Sequence, residues 1–381
     1  MTDMKPVLRV LLCLALGAAG SATAGHVSAQ ETWDGVTKPI ALAPYDPHRP
    51  ACAKPPGLRR TLVFAQDNSR EFMEGTAAGL KAAARDRDLE FLSLLADNDP
   101  DRMIAQVDEA RHARAGALVA APIDAQTLAS SLKAMIKDGS YVGTVVPPPA
   151  VTILNAPQYL TGQVLGDAAV AYISSKLGGK ARVVLLTHDS NQYLAQRFVA
   201  IRKALDQLPG VTIVADISPV TVNTQGGYET MRKVLIAQSD VDVVLGADTV
   251  VLGALAAVRE SGHARPDQFF GGIDGEPEAL VELKKGGEYK ASVGLASPVF
   301  GYAMGQQAAD WLDGKSIPQA MDVLPVPITP ETIAQYEADL ADPAAVYRDD
   351  AKRDAYLKMY GNICYETRDQ FLNFPWSSER N

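Results

Sequence analysis

Residues 241–262 read VDVVLGADTVVLGALAAVRESG, and residues 263–280 continue HARPDQFFGGIDGEPEAL. The run 241–246 is short, apolar and rich in β-branched residues, which suits a strand buried on both faces of a parallel sheet. Asp248-Thr249 offers side-chain oxygens that can cap a following helix. Val251, Leu252, Leu255 and Val258 recur at helical spacing, and Gly262 falls where that helix should stop. Residues 269–273 read as the next strand, with Asp274-Gly275 just past its end. The stretch is a strand–helix–strand unit with carboxylates at the carboxyl ends of two strands. In open α/β sheets that edge is where ligands bind.

The same alternation runs outward in both directions. Toward the N-terminus, strands are expected at 61–65, 89–95, 117–121 and 141–146, the last ended by Pro147-Pro148-Pro149. Helices are expected at 72–85, from Asn98-Asp99-Pro100 onward, and at 123–137. The pattern restarts with a helix at 160–177, a strand at 181–186, a helix at 192–208, a strand at 211–217 and a helix at 225–236. A strand at 291–295 and a helix at 300–312 follow the opening unit. Strict alternation implies parallel sheets covered on both faces. Segments 116–146 and 241–273 share the strand–helix–strand order, so the chain reads as two similar α/β halves.

The chain has 381 residues, 47% hydrophobic and 21% charged, which suits two globular domains. A net charge of −9 without a basic patch argues against a nucleic-acid partner. At the N-terminus, Lys5 and Arg9 precede an apolar run, 10–19, that is too short to span a bilayer. Ala22-Thr23-Ala24 and Val27-Ser28-Ala29 are small-residue cleavage sites, so 1–29 is expected to be a cleaved signal peptide, with Ala29 preferred over Ala24. Cys13 lies inside the apolar run, which argues against a lipid anchor. Cys52 and Cys364 then remain, an even pair that forms one disulfide in an oxidising compartment or stays as two separate thiols. Residues 30–58 carry Pro39, Pro44, Pro47, Pro50, Pro55 and Pro56 and read as an extended arm. Past 329, helices are expected at 330–340 and 343–359, each with proline near its start. Tyr365, Phe371, Phe374 and Trp376 make an aromatic tail, read as an arm covering one domain, with a partner-binding role as the alternative.

Six features in order and spacing carry a resemblance: Phe72-Met73 followed by Gly79, LADNDPDRMIAQVDEA at 95–110, AAPIDAQTL at 120–128, Arg197, GADTVVLGAL at 246–255 and GGIDGEPEAL at 271–280. Over about residues 59–328 the chain resembles the periplasmic sugar-binding proteins of ABC importers, the ribose-binding type, whose fold is shared by the ligand-binding part of LacI-type repressors. The resemblance implies a type I periplasmic binding protein: two doubly wound parallel-sheet domains joined by a three-strand hinge. Lobe 1 would hold 59–158 plus 296–322, and lobe 2 would hold 159–295 plus 323–328, leaving the arm at 30–58 and a helical C-terminal extension at 329–381. It also implies a periplasmic monomer without cofactor or metal, whose partners are a small-molecule ligand and an ABC permease in the inner membrane.

Matched by position, the resemblance implies ligand contacts from Gln66, Asp67, Arg70, Phe72 and Met73 in the first domain, and from His188, Arg197, Asp248 and Asp274 in the second. Carboxylates accept from vicinal hydroxyls, Arg197 offers a fork of donors, and the Phe72 ring can stack on a sugar's apolar face. Simpler readings stand beside these. Arg70 is then a solvated helix-start residue, Asp248 a helix cap and Asp274 a turn residue in Asp-Gly. Four polar contacts of the family are replaced, by Ala121, Val146-Pro147, Ala247 and Leu295. The expected pocket is less polar than a typical sugar site, and Arg70 with Arg197 would suit a sugar-like or acidic ligand.

No G-x-S-x-G, H-E-x-x-H or complete P-loop is present, and Gly314-Lys315-Ser316 lacks the upstream glycine of a phosphate cradle. The expectation is a binding protein and not an enzyme, with His188 as a ligand contact or a solvated residue. A regulator would need a helix-turn-helix before the first strand, where this chain has the signal segment and arm. The remaining alternative is a periplasmic sensor that presents its closed form to a membrane sensor kinase or chemoreceptor.

Overall fold

The computed structural model describes residues 41–191 and 193–379. The signal segment expected at 1–29, with Cys13, and the first part of the arm lie outside the described residues.

The chain opens with β1 (Arg59–Gln66), α1 (Glu71–Asp86), β2 (Glu90–Leu95), α2 (Pro100–His112), β3 (Ala115–Ala120), α3 (Ala125–Asp138), β4 (Tyr141–Val145) and β5 (Thr152–Asn155). It continues with α4 (Gln158–Lys176), β6 (Lys180–Leu186), α5 (Ala195–Leu205), β7 (Gly210–Ile217), α6 (Thr224–Ala237), β8 (Val243–Leu245), α7 (Asp248–Glu260), β9 (Phe269–Asp274), α8 (Pro277–Lys284) and β10 (Tyr289–Gly294). Then come α9 (Ser297–Leu312), β11 (Ala320–Val323), β12 (Val326–Ile328), α10 (Ile333–Ala341), α11 (Pro343–Arg348), α12 (Asp350–Tyr356) and β13 (Leu357–Tyr360), before a 3₁₀ turn at Tyr365–Gln370.

These strands build two sheets, in the orders β13-β11-β5-β4-β3-β1-β2 and β12-β10-β9-β8-β6-β7. Each is parallel except for one antiparallel member at an edge, β13 on β11 and β12 on β10. In the first sheet β1 lies between β2 and β3, so the winding reverses at β1/β3; in the second it reverses at β6/β8. Reversal leaves a crevice at the carboxyl ends of those strands, because the helices on either side diverge there. The chain passes between the sheets after β5, after β10 and after β11, which makes the three-strand hinge. We call the two halves the first and second lobe.

Local chemistry explains the elements. Strands β3 and β8 are buried along their whole length, as continuous apolar runs in a covered parallel sheet must be. Asp99 caps α2 by accepting from the backbone N–H of Asp101 and Arg102 at 3.0 and 3.1 Å, and Asp124 caps α3 in the same way. Gly139 ends α3 at φ 102°, a left-handed stop that costs glycine little. Gly79 lets α1 lie against α9: a Cβ there would come within 2.1 Å of the Pro298 carbonyl.

The expected helix at 343–359 is instead α11, α12 and the strand β13. Asp349 caps α12 through the N–H of Lys352, and Leu357–Tyr360 then finds a free edge on β11. The tail does not cover one lobe only. Tyr336 of α10 is buried near Gly294 of the second lobe, while the Tyr347 ring of α11 lies 5.6 Å from Tyr302 of α9 in the first. Between β12 and β13 the chain therefore makes a fourth passage from the second sheet to the first. Trp376 is buried with Ala150, Ile153, Ala320 and Leu372 beside β5. Cys52 and Cys364 are joined in a disulfide, which ties the arm to the tail. Among the described residues, no helix is long and apolar enough to cross a membrane.

Candidate functional site

A cavity of about 520 Å³ opens at the carboxyl ends of the strands, between the lobes. Its walls come from four places. The first is the β1–α1 segment, with Asp67, Arg70, Phe72 and Met73. The second is the ends of β3 and β4, with Ala121, Ile123, Val146 and Pro147. The third is the hinge passage at Asn155–Gln158. The fourth is the loop after β6, with Asn191, Tyr193, Leu194 and Gln196. Ser377 and Glu379 of the tail complete the lining. This is the volume range of small-molecule sites.

Phe72 lies in the first turn of α1, its ring 5.4 Å from that of Phe300, which braces it, and the residue lines the cavity. Arg70 donates to Asp67 at 3.0 Å, and its side chain is 57% exposed. Arg197 is buried; its Nε donates to Gln158 Oε1 at 2.8 Å and its Nη1 lies 3.7 Å from Asp274. Burial lowers its pKa, against the opposing effect of Asp274. Gly162 permits this placement, since a Cβ there would come within 1.8 Å of the Arg197 carbonyl oxygen. Asp274 sits at φ 116°, a conformation that side-chain-bearing residues rarely adopt and that recurs at functional sites.

The pattern of the periplasmic binding protein domain matches residues 61–316. The chain belongs to the periplasmic binding protein family. The ribose import binding protein of Bacillus subtilis is 25% identical over 251 residues, covering 65% of this chain and 79% of that one. A periplasmic ribose ABC transporter structure from Conexibacter woesei superposes with a TM-score of 0.64 at 21% identity, covering 74% of this chain and 95% of that one. A solute-binding protein of Bacillus halodurans with bound myo-inositol gives 0.63 at 19%, covering 74% and 99%.

Within this periplasmic binding protein, the candidates taken from sequence fall into three groups. Asp67, Arg70, Phe72 and Met73 line the cavity. Gln66, Arg197 and Asp248 are buried side chains that hold other parts in place. Gln66 Nε2 donates to the Asn68 carbonyl and to Glu74, fixing the β1–α1 turn. Asp248 neither caps α7, whose N-cap is Ala247, nor lines the cavity. It accepts from Tyr289 at 2.6 Å, from Ser292 at 2.7 Å and from the N–H of Glu276 at 2.9 Å. Burial pushes its carboxyl up to about 6. His188 and Asp274 are outside the cavity lining, Asp274 reaching it only through Arg197 and Gln158.

Of the four replaced positions, Ala121 and Val146-Pro147 line the cavity and make one wall apolar. In the loop after β6 sequence reasoning named His188 and missed Asn191, Tyr193 and Leu194, because a helix from 192 was expected while α5 starts at Ala195. It also missed Asn155, Gln158, Ser377 and Glu379. Among the described residues, the grouping at metal-ligand spacing is Cys52, Cys364 and Glu366, whose two sulfurs are committed to the disulfide.

Proposed function

We propose that this chain captures a small neutral polyhydroxylated molecule, a sugar or cyclic polyol, between its lobes and passes it to an ABC permease. The observation that supports this most is the cavity itself, lined by both lobes of a periplasmic binding protein. A ligand there touches both lobes only when they are together, so binding shifts an open–closed equilibrium toward the closed form. The closed monomer is then the form a permease would recognise in the periplasm. Ribose and myo-inositol, named for the relatives above, set the size class.

A neutral ligand fits better than an acid. The two arginines that suggested an anionic ligand are already engaged, Arg70 with Asp67 and Arg197 with Gln158 and Asp274. Phe72 supplies a flat apolar surface, and Asn155, Gln158 and Asn191 supply amides.

Thermal shift against pentoses, hexoses, inositols, polyols and sugar acids tests this. A ligand bound only by the folded form raises Tm with its concentration. The expected result is a shift with a neutral polyol and none with acids. A shift with acids alone would overturn the neutral assignment, and no shift with any compound would count against capture in the cleft.

A further inference from the structure

The tail segment Ser377–Glu379 lies at the cavity wall, about 60 residues past the end of the family match at 316. Its position is fixed on both sides. Upstream, Leu372 and Ala150 exchange backbone hydrogen bonds at 3.0 and 3.1 Å, and the buried Trp376 has its ring 5.1 Å from Tyr360. Downstream, the Glu379 carboxylate accepts from the backbone N–H of Tyr159 at 3.1 Å and of Leu160 at 2.7 Å, and the N–H of Glu379 donates to Ser377 Oγ at 3.1 Å. The N-cap residue of α4 is Pro157, which has no side-chain acceptor, so Glu379 serves that helix end from elsewhere in the chain. The tail thereby bridges the first lobe and the first turn of a second-lobe helix at the cavity edge.

A carboxylate offers about four lone-pair sites. The N–H groups of Tyr159 and Leu160 take two and that of Gln158 also acts on the carboxylate, which leaves acceptor capacity on a residue that lines the cavity. We propose that Ser377 and Glu379 are ligand-binding residues: the C-terminal segment is a wall of the site, and Glu379 selects for hydroxyl donors and against ligand carboxylates. This rests on the cavity being the ligand site. Selection against acids follows from charge, since a bound carboxylate would face Glu379 with the arginines already paired.

Isothermal titration calorimetry with D-ribose, myo-inositol and D-glucuronate tests this on the full chain, Glu379→Gln, Ser377→Ala, a chain ending at Trp376, and Phe72→Ala as a control in the opposite wall. Circular dichroism checks that each variant is folded. The expected result is binding of a neutral probe that Glu379→Gln weakens by at least about tenfold, the loss of a hydrogen bond to a charged group. D-glucuronate should gain relative to the neutral probe in that variant. If Phe72→Ala abolishes binding while Glu379→Gln and the shortened chain bind within about twofold of the parent, the tail proposal falls and the cleft stands. If no variant changes binding, or the full chain binds no probe, the cleft reading and the tail proposal fall together.

Discussion

Arg197 Nε donates to Gln158 Oε1 at 2.8 Å, so a residue of the cavity wall is oriented by a guanidinium buried behind it. The same guanidinium faces Asp274, which joins α5, the start of α4 and the end of β9 into one polar assembly. Arg197→Ala would leave Asp274 and Gln158 without their partner. Asp274 is 35% exposed, so the charge left behind is partly solvated, and we expect a loss of about 1–3 kcal/mol in folding stability, read from the urea midpoint. An unchanged midpoint would mean that the assembly is solvated in solution.

Asp248 holds Tyr289, Ser292 and the Glu276 N–H through one carboxylate. Asp248→Ala strands these buried donors, at about 1–3 kcal/mol for each group left unsatisfied. The expected result is a Tm drop larger than that of Arg197→Ala, without a new cavity contact. A drop of less than about 1 kcal/mol would show that water replaces the carboxylate.

Glu276 gives the fold a pH dependence. Burial, then the neighbouring Asp248, Asp274, Glu278 and Glu71, push its carboxyl from 4.5 up to about 8. The folded chain thus keeps a proton that the unfolded chain gives up. That stabilisation is complete below 4.5 and is lost as pH rises through about 8. Asp248, raised from 3.8 to about 6, acts in the same direction at lower pH. Tm should fall between those limits, and Glu276→Gln should flatten the upper part of the fall. A wild-type Tm that rises over this window would contradict the assignment.

The disulfide closes a loop with a sequence separation of 312 residues. Removing it by the double change Cys52→Ser and Cys364→Ser frees the unfolded chain and should cost about 2–4 kcal/mol. Guanidinium denaturation with and without reductant gives the same comparison on the unaltered chain. Equal midpoints would show that the arm and tail contribute nothing to global stability.

The sequence by itself determined the alternation of strands and helices, the two similar halves and the family resemblance. These rest on hydrophobic spacing and cap residues such as Asp99 and Asp124, which act within a few positions. The family resemblance, matched position by position, pointed to Asp67, Arg70, Phe72 and Met73, which line the cavity at the carboxyl end of β1. Only the tertiary structure decided what depends on distant partners. β5, β11 and β12 are three or four residues long, too short for a periodic signal, and form because neighbouring strands offer edges. Asp248 could locally cap a helix, but the buried hydroxyls of Tyr289 and Ser292 claim it. Glu379 reaches Leu160 across 219 positions, and no local pattern records a contact between chain segments so far apart in sequence.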